Sequence, residues 1–365
     1  MQKLHLHELH KRLGARFGIE NGAEVVMNYG DTAAEYRALQ EGAAILDLSF
    51  RGRLCVAGSD RLRFLHGQVT NDIKRLQVGE GIYAALVNAK GRMESDLNVF
   101  LLSEELLLDF EPGLSETILR RLEKYIVADD VQVINVGRLY GLLSVQGPQA
   151  AAVVRNSGIF PEIPQRKYNF RQLADPAAGE LYLMNLPRVS TNGFDFFVPQ
   201  EELTSVAERL WEAARTVGGS TVGWEAFEAA RIESGIPRFG IDMDNSSFPQ
   251  ECGIDARAVS YSKGCYIGQE VLNRIHTLGH VNRELRGLGL AKDLKSLPAR
   301  GDKLFSDGKE AGWITSALAS PGLQENIALG FVRREAGEIG TELKLRTAEG
   351  ESTVRIVALP FRQEP

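Results

Sequence analysis

The chain has 365 residues, 44% of them hydrophobic, which is longer than one compact core accommodates and enough for two or three. Its 48 acidic and 42 basic residues leave a formal charge of −6 and are mixed along the chain, which excludes a basic arm for tight nucleic-acid binding and an acidic tail. Residues 1–7 hold no apolar run of signal-peptide length, no later stretch approaches the roughly twenty apolar residues of a membrane span, and the widely spaced Cys55, Cys252 and Cys265 form no metal-binding pair; a reducing cytoplasm is the expected location.

In chain order, residues 4–39 are interrupted by Gly14, Gly18, Gly22 and Gly30 and read as loops and short helices. Residues 51–56 read as a strand, after which Gly58-Ser59-Asp60 supplies a turn and a cap for a short helix with Leu62 and Leu65 on one face. Residues 83–102 predict an antiparallel hairpin turning at Asn88-Ala89-Lys90-Gly91, with the second strand over 96–102 and the polar side chains of the turn facing a common pocket. Ser115 is placed to cap a helix carrying Ile118, Leu119, Leu122 and Ile126 as its apolar stripe. Leu203, Val206, Ala207, Leu210, Trp211 and Ala214 step by three and four, which predicts an amphipathic helix between Pro199 and Gly218. Another helix, from about Gly223 to Glu233, stops at Gly235 with Pro237 beyond it. Residues 238–263 have little periodicity, yet Phe248, Ile254, Val259 and Tyr261 predict an ordered loop. From Arg283 the texture changes to short strands, 285–290, 328–332, 342–346 and 353–359, separated by turn residues, as in a small β-barrel. The expected division is an α+β body over 1–282 followed by a β module over 283–365.

The densest chemistry lies in Lys263-Gly264-Cys265-Tyr266-Ile267-Gly268-Gln269-Glu270. Two glycines bracket the cysteine and tyrosine, which lets a backbone present a small nucleophile at a pocket wall, and Lys263 would favour the thiolate if it also lies close in space. The alternative is a buried structural thiol in a tight turn. His276 and His280 are four apart, but Arg274 and Arg283 flank them, and cations repel a divalent ion; solvated surface is the better reading, and no metal is expected.

The octapeptide resembles the K-G-C-Y-x-G-Q-E signature of the YgfZ family, folate-binding proteins linked to iron–sulfur enzymes and tRNA modification, and matches it at every fixed position. The remainder resembles the wider glycine-cleavage T-protein superfamily, through residues 42–48 (GAAILDL), Gln68-Val69-Thr70-Asn71-Asp72, 88–97, Arg231 to Gly235 (RIESG), Gly312-Trp313-Ile314-Thr315-Ser316 and Ser320-Pro321. That resemblance runs almost end to end. It implies the T-protein fold: α+β, three domains in a ring around a central folate pocket, with two interleaved subdomains in the body and the C-terminal β-barrel as the third domain. It implies tetrahydrofolate as the cofactor.

Residue roles follow from the same resemblance. Where T-proteins carry adjacent aspartates, one of which assists attack of the folate nitrogen on the aminomethyl carbon, this chain has Ser95-Asp96, so one carboxylate is kept. Asp96 could equally satisfy local backbone donors at a strand start. Asp195 sits where the family has an acidic residue at the pterin edge, although Thr191-Asn192 replace the Gly-Glu before it. Arg231 corresponds to an arginine near the cofactor tail; the alternative is a surface salt bridge to Glu228 or Glu233. Tyr83 could stack on the pterin or belong to the core.

Three functions compete. A tetrahydrofolate-binding protein for iron–sulfur cluster assembly or repair is favoured by the complete cysteine signature, with iron–sulfur enzymes as partners. An aminomethyltransferase or related one-carbon enzyme, served by a lipoyl carrier protein, is favoured by Asp96. A folate-binding module without chemistry would have no use for the thiol.

Overall fold

The computed structural model describes residues 3–175, 179–189, 192–292 and 294–362. Thr191, part of the departure noted above, lies outside them. The chain divides into two compact units, Met1–Ala84 with Asp96–Glu228, and Ala85–Ser95 with Ala229–Pro365.

The first unit contains two sheets. One has six strands in the order Phe170–Asp175, Gly179–Asn185, Gly193–Pro199, Tyr140–Gln146, Ala44–Asp47 and Ser220–Thr221, antiparallel except for the last pair. The helices Ala150–Ser157 and Leu203–Arg215 pack on it, and Val153, Val154, Val206, Ala207 and Leu210 meet Val145, Phe194 and Phe196 in its core. The second helix matches its predicted stripe: Leu203, Val206, Ala207, Leu210 and Ala214 are buried. The other sheet orders Glu80–Val87, Met93–Leu101, Glu105–Phe110, Gly52–Ala57 and Gln132–Asn135, with the Ala85–Ser95 part of its first two strands counted in the second unit.

Several expectations for this unit need correction. Residues 4–39 hold the helices His7–Arg12 and Thr32–Glu41, but also a hairpin, Arg16–Glu20 with Ala23–Asn28. Asn21 and Gly22 turn it with positive φ of 47° and 82°; Asn-Gly is the strongest short-range hairpin signal, and the scattered glycines obscured it. Ser115 is the first residue of its helix, Ser115–Glu123, and the cap position falls on Leu114. Ile126 lies beyond that helix, whose buried positions are Ile118 and Leu122. The 83–102 hairpin forms with longer strands than expected, its turn closed by Gly91 N–H donating to the Asn88 carbonyl at 2.9 Å. The turn's Ala89 and Lys90 are exposed.

In the second unit, Arg283–Leu290, Glu325–Arg333, Lys309–Ser320, Lys303–Ser306, Glu342–Thr347 and Gly350–Val357 close into a barrel. Alternation drives this: along Glu342–Thr347 only Leu343 and Leu345 are buried, and they join Leu288, Leu304, Ile314, Val332, Val354 and Ile356 inside. Two strands, Lys303–Ser306 and Lys309–Ser320, went unrecognised because their exposed faces break the apolar runs. The segment before the barrel is ordered, with Ile254 fully buried and Tyr261 stacked on His276 at 3.7 Å between ring centroids. His276 and His280 are both exposed, and the helix Gln269–Leu278 ends before the second of them. Among the described residues no helix is long and apolar enough to cross a membrane.

Candidate active site

In the first unit, strand register assembles a row of charge. Arg53 pairs with Asp109, and Asp109 with Asn98, across three neighbouring strands. Side chains repeat their face every second residue, and Arg51 and Glu111, just past the ends of their strands, meet as an ion pair. The contacts agree: Arg51 donates to Asp109 Oδ1 at 2.8 Å and to Glu111 Oε1 at 2.5 Å, and Asn98 donates to Asp109 Oδ2 at 2.9 Å. Arg188 then ties this sheet to the six-stranded one, donating to Asp109 Oδ2 at 2.8 Å and to Asp195 Oδ2 at 2.8 Å. Asp195 is fully buried and accepts a further bond from Ser144 at 2.6 Å. Two arginines close by hold the Asp109 carboxyl well below the ordinary carboxylate range despite its burial.

The network bears on two site residues. Asp195, expected at a pterin edge, has its oxygens engaged by Ser144 and Arg188. Asp96 differs: it is half-buried, and its Oδ2 accepts from the Tyr83 hydroxyl at 2.8 Å. Desolvation first, and then the charge of Glu111, push its carboxyl up to about 6, while Tyr83 and Arg51 pull the other way. It lies inside the strand Met93–Leu101, not at a strand start. Tyr83 is itself buried, its carbonyl accepting from Asn71 of the QVTND stretch at 2.8 Å, so its hydroxyl is held at Asp96 by the sheet.

In the second unit, the sequence motifs explain one another. Arg231 is buried and donates to Asp242 Oδ2 at 2.5 Å and to Ser316 Oγ at 3.1 Å, so the surface salt bridge to Glu228 or Glu233 is replaced by an internal pair with Asp242. A register shift between Ile314 and Ser316 lets Thr315 and Ser316 both donate to Asp242 Oδ1, each at 2.6 Å. Glu233 likewise accepts from Ser320 Oγ, and from Gly322 N–H at 3.2 Å. RIESG, GWITS and Ser320-Pro321 are thus a helix end and a barrel strand joined by buried carboxylates.

The octapeptide packs on the hairpin tip of its own unit. Gly268 has φ +84°, and a Cβ there would stand 2.6 Å from the Asn88 carbonyl oxygen, so only glycine fits. Cys265 is exposed, whereas Cys55 and Cys252 are buried and burial pushes both thiols well up. Lys263 is buried with its ammonium over the Tyr266 ring, 4.8 Å from the centroid.

Arg51, Asp109, Glu111 and Arg188 escaped the sequence reading. The available signal was the pair of acids at alternate positions closing an apolar strand, Leu108-Asp109-Phe110-Glu111.

A fold of this kind, with a carboxylate and tyrosine inside a mixed body and a closed C-terminal barrel, belongs to a recognised class. The GCVT N-terminal domain model matches residues 6–263, and the glycine cleavage T-protein C-terminal barrel domain model matches residues 283–362. The chain belongs to the glycine cleavage T-protein family. It is 25% identical to the aminomethyltransferase of Bacillus subtilis (strain 168), over 99% of each chain. It is 27% identical to that of Acidobacterium capsulatum, over 100% of this chain and 97% of the other. The crystal structure of glycine cleavage system aminomethyltransferase T from Bartonella henselae superposes with a TM-score of 0.89 at 23% identity, covering 99% of this chain and 98% of that one, and shares the fold.

Proposed function

We propose that this chain binds a tetrahydrofolate and transfers a one-carbon unit to it as an aminomethyltransferase, with Asp96 as the assisting carboxylate. The observation that carries this reading is the Asp96–Tyr83 pair: a half-buried carboxyl held near 6 is partly protonated close to neutrality and can both take and return a proton. The relatives named above as aminomethyltransferases support it. Folate fits these residues in part. Asp96 can accept from a ring nitrogen, and Tyr83 fixes its orientation, but Arg231 and Asp195 already answer Asp242 and Arg188, so neither is a ready contact for tail or pterin edge. A bound tetrahydrofolate would supply a nucleophilic nitrogen, Asp96 would be the group placed to take the proton that nitrogen sheds, and the carrier sulfur would leave with the electron pair of its bond to the carbon. Titration with tetrahydrofolate, followed by an assay with an aminomethyl-loaded lipoyl carrier protein, tests it. Asp96→Asn should keep the affinity and lose transfer; unimpaired transfer would refute the role.

A second reading rests on Cys265. Its exposure within a complete YgfZ signature, while the other two cysteines are buried, favours a folate-binding protein for iron–sulfur cluster assembly or repair, with iron–sulfur enzymes as partners and an effect on tRNA modification through them. Under it, Cys265→Ser folds normally and fails to restore iron–sulfur enzyme activity in cells lacking the native protein. Full rescue rejects it.

A further inference from the structure

We propose that the second unit carries a binding site of its own, a preformed cleft beside the barrel that takes a small carboxylate with an apolar or aromatic body. The cleft has a volume of about 440 Å³, within the roughly 300–1,000 Å³ of sites for small organic ligands. Its whole wall comes from the second unit, whereas Asp96 and Tyr83 belong to the first, so the inference does not depend on the role given to Asp96. Backbone hydrogen bonds tie the stretches that form it: Leu285 N–H donates to the Glu251 carbonyl at 2.8 Å, Phe361 N–H to the Glu233 carbonyl at 3.0 Å, and Gly340 N–H to the Ile356 carbonyl at 2.8 Å. The shape exists before a ligand arrives, which spares part of the ordering cost of binding. Ile236, Pro237, Leu285, Val357 and Leu359 supply apolar wall, and Ile339 stands beside them 62% exposed. An isoleucine left that open gains when an apolar body covers it. The charged part of the wall is cationic: Arg257 and Arg286 line the cleft and no acid does. Arg286 is fixed in place, its Nε donating to the Gly337 carbonyl at 2.9 Å and its Nη2 to Glu284, while its Nη1 makes no hydrogen bond among the described residues. A guanidinium with a donor to spare, in a wall without acids, selects a carboxylate over a neutral group or a cation. A cleft of the first unit, around Phe160 and Ile163, also holds two arginines, Arg155 and Arg171, but Glu162 lines it 3.6 Å from Arg171, so an anion entering there meets its own charge.

Calorimetric titration of the full chain with naphthoate, and with naphthylmethanol, which has the same rings and no charge, tests it. Naphthoate should bind about tenfold more tightly. Arg286→Met keeps an apolar stem and removes the guanidinium; it should weaken naphthoate alone and bring the two compounds within about twofold. Arg286→Gln makes the same comparison if the methionine variant does not fold. Ile339→Ser should weaken both compounds alike, by a factor of about three, because it removes apolar contact and leaves the charge. Binding of neither compound up to about 1 mM, or a preference for naphthoate that survives the loss of Arg286, overturns the inference. So does a preference that disappears with Arg171→Met instead, since that places the anion in the cleft of the first unit.

Discussion

Arg231→Ala removes the cation from a buried pair. Asp242 is fully enclosed, and its oxygens accept from Arg231, the Arg238 backbone N–H at 3.1 Å, Thr315 and Ser316. Three neutral donors remain after the substitution, but the charge loses its counter-ion inside the protein. Breaking a buried ion pair from one side costs about 3–5 kcal/mol, far above the ~0.5 kcal/mol of a surface bridge. For a unit of this size that corresponds to a loss of roughly 10 °C in Tm. Urea and thermal unfolding of the full chain, followed by circular dichroism, measure it. The double variant Arg231→Met with Asp242→Asn removes both charges and should recover at least about 1 kcal/mol of the loss. Where the variant remains folded, folates with and without a polyglutamate tail should lose affinity equally, because the guanidinium is already satisfied. A destabilisation under about 1 kcal/mol, no recovery in the double variant, or a loss confined to the tailed ligand would each refute the reasoning.

Three further outcomes follow from the same contacts. A small alkylating reagent should modify Cys265 well before Cys55 or Cys252, whose burial keeps both thiols protonated, and mass mapping that found either of those first would contradict the placement. Gly268→Ala should destabilise by about 2 kcal/mol or more, since the alanine must hold φ +84° and meet the Asn88 carbonyl; unchanged unfolding would show that the loop is not packed as described. Asp96→Asn should raise stability by roughly 1–2 kcal/mol at pH 7.5, a figure reduced for partial exposure. The sign follows from the raised carboxyl: its favourable contribution is full below the ordinary 3.8 and is lost as pH rises through about 6, so the variant's advantage should fade between pH 6 and 4. An advantage that grows on acidification would reverse the assignment.

Local patterns carried the sequence reading a long way. The stripe of Leu203, Val206, Ala207 and Leu210 set its helix, Gly235 ended the next one, and alternation after Arg283 was enough for a barrel, because each depends on neighbours within a few residues. Asp96, Tyr83 and Cys265 were also visible as candidate chemistry, since residue type and motif are properties of the chain itself. What these groups touch was not. Asp96 meets the Tyr83 hydroxyl from the neighbouring strand, Arg231 meets Asp242 and Ser316 through a bulge in a strand eighty-odd positions away, and Asp195 is closed off by Arg188 from the segment before it. Charge at such positions says only that a partner exists, because burying an ion demands one. Which partner answers it is decided when the sheets pair and pack.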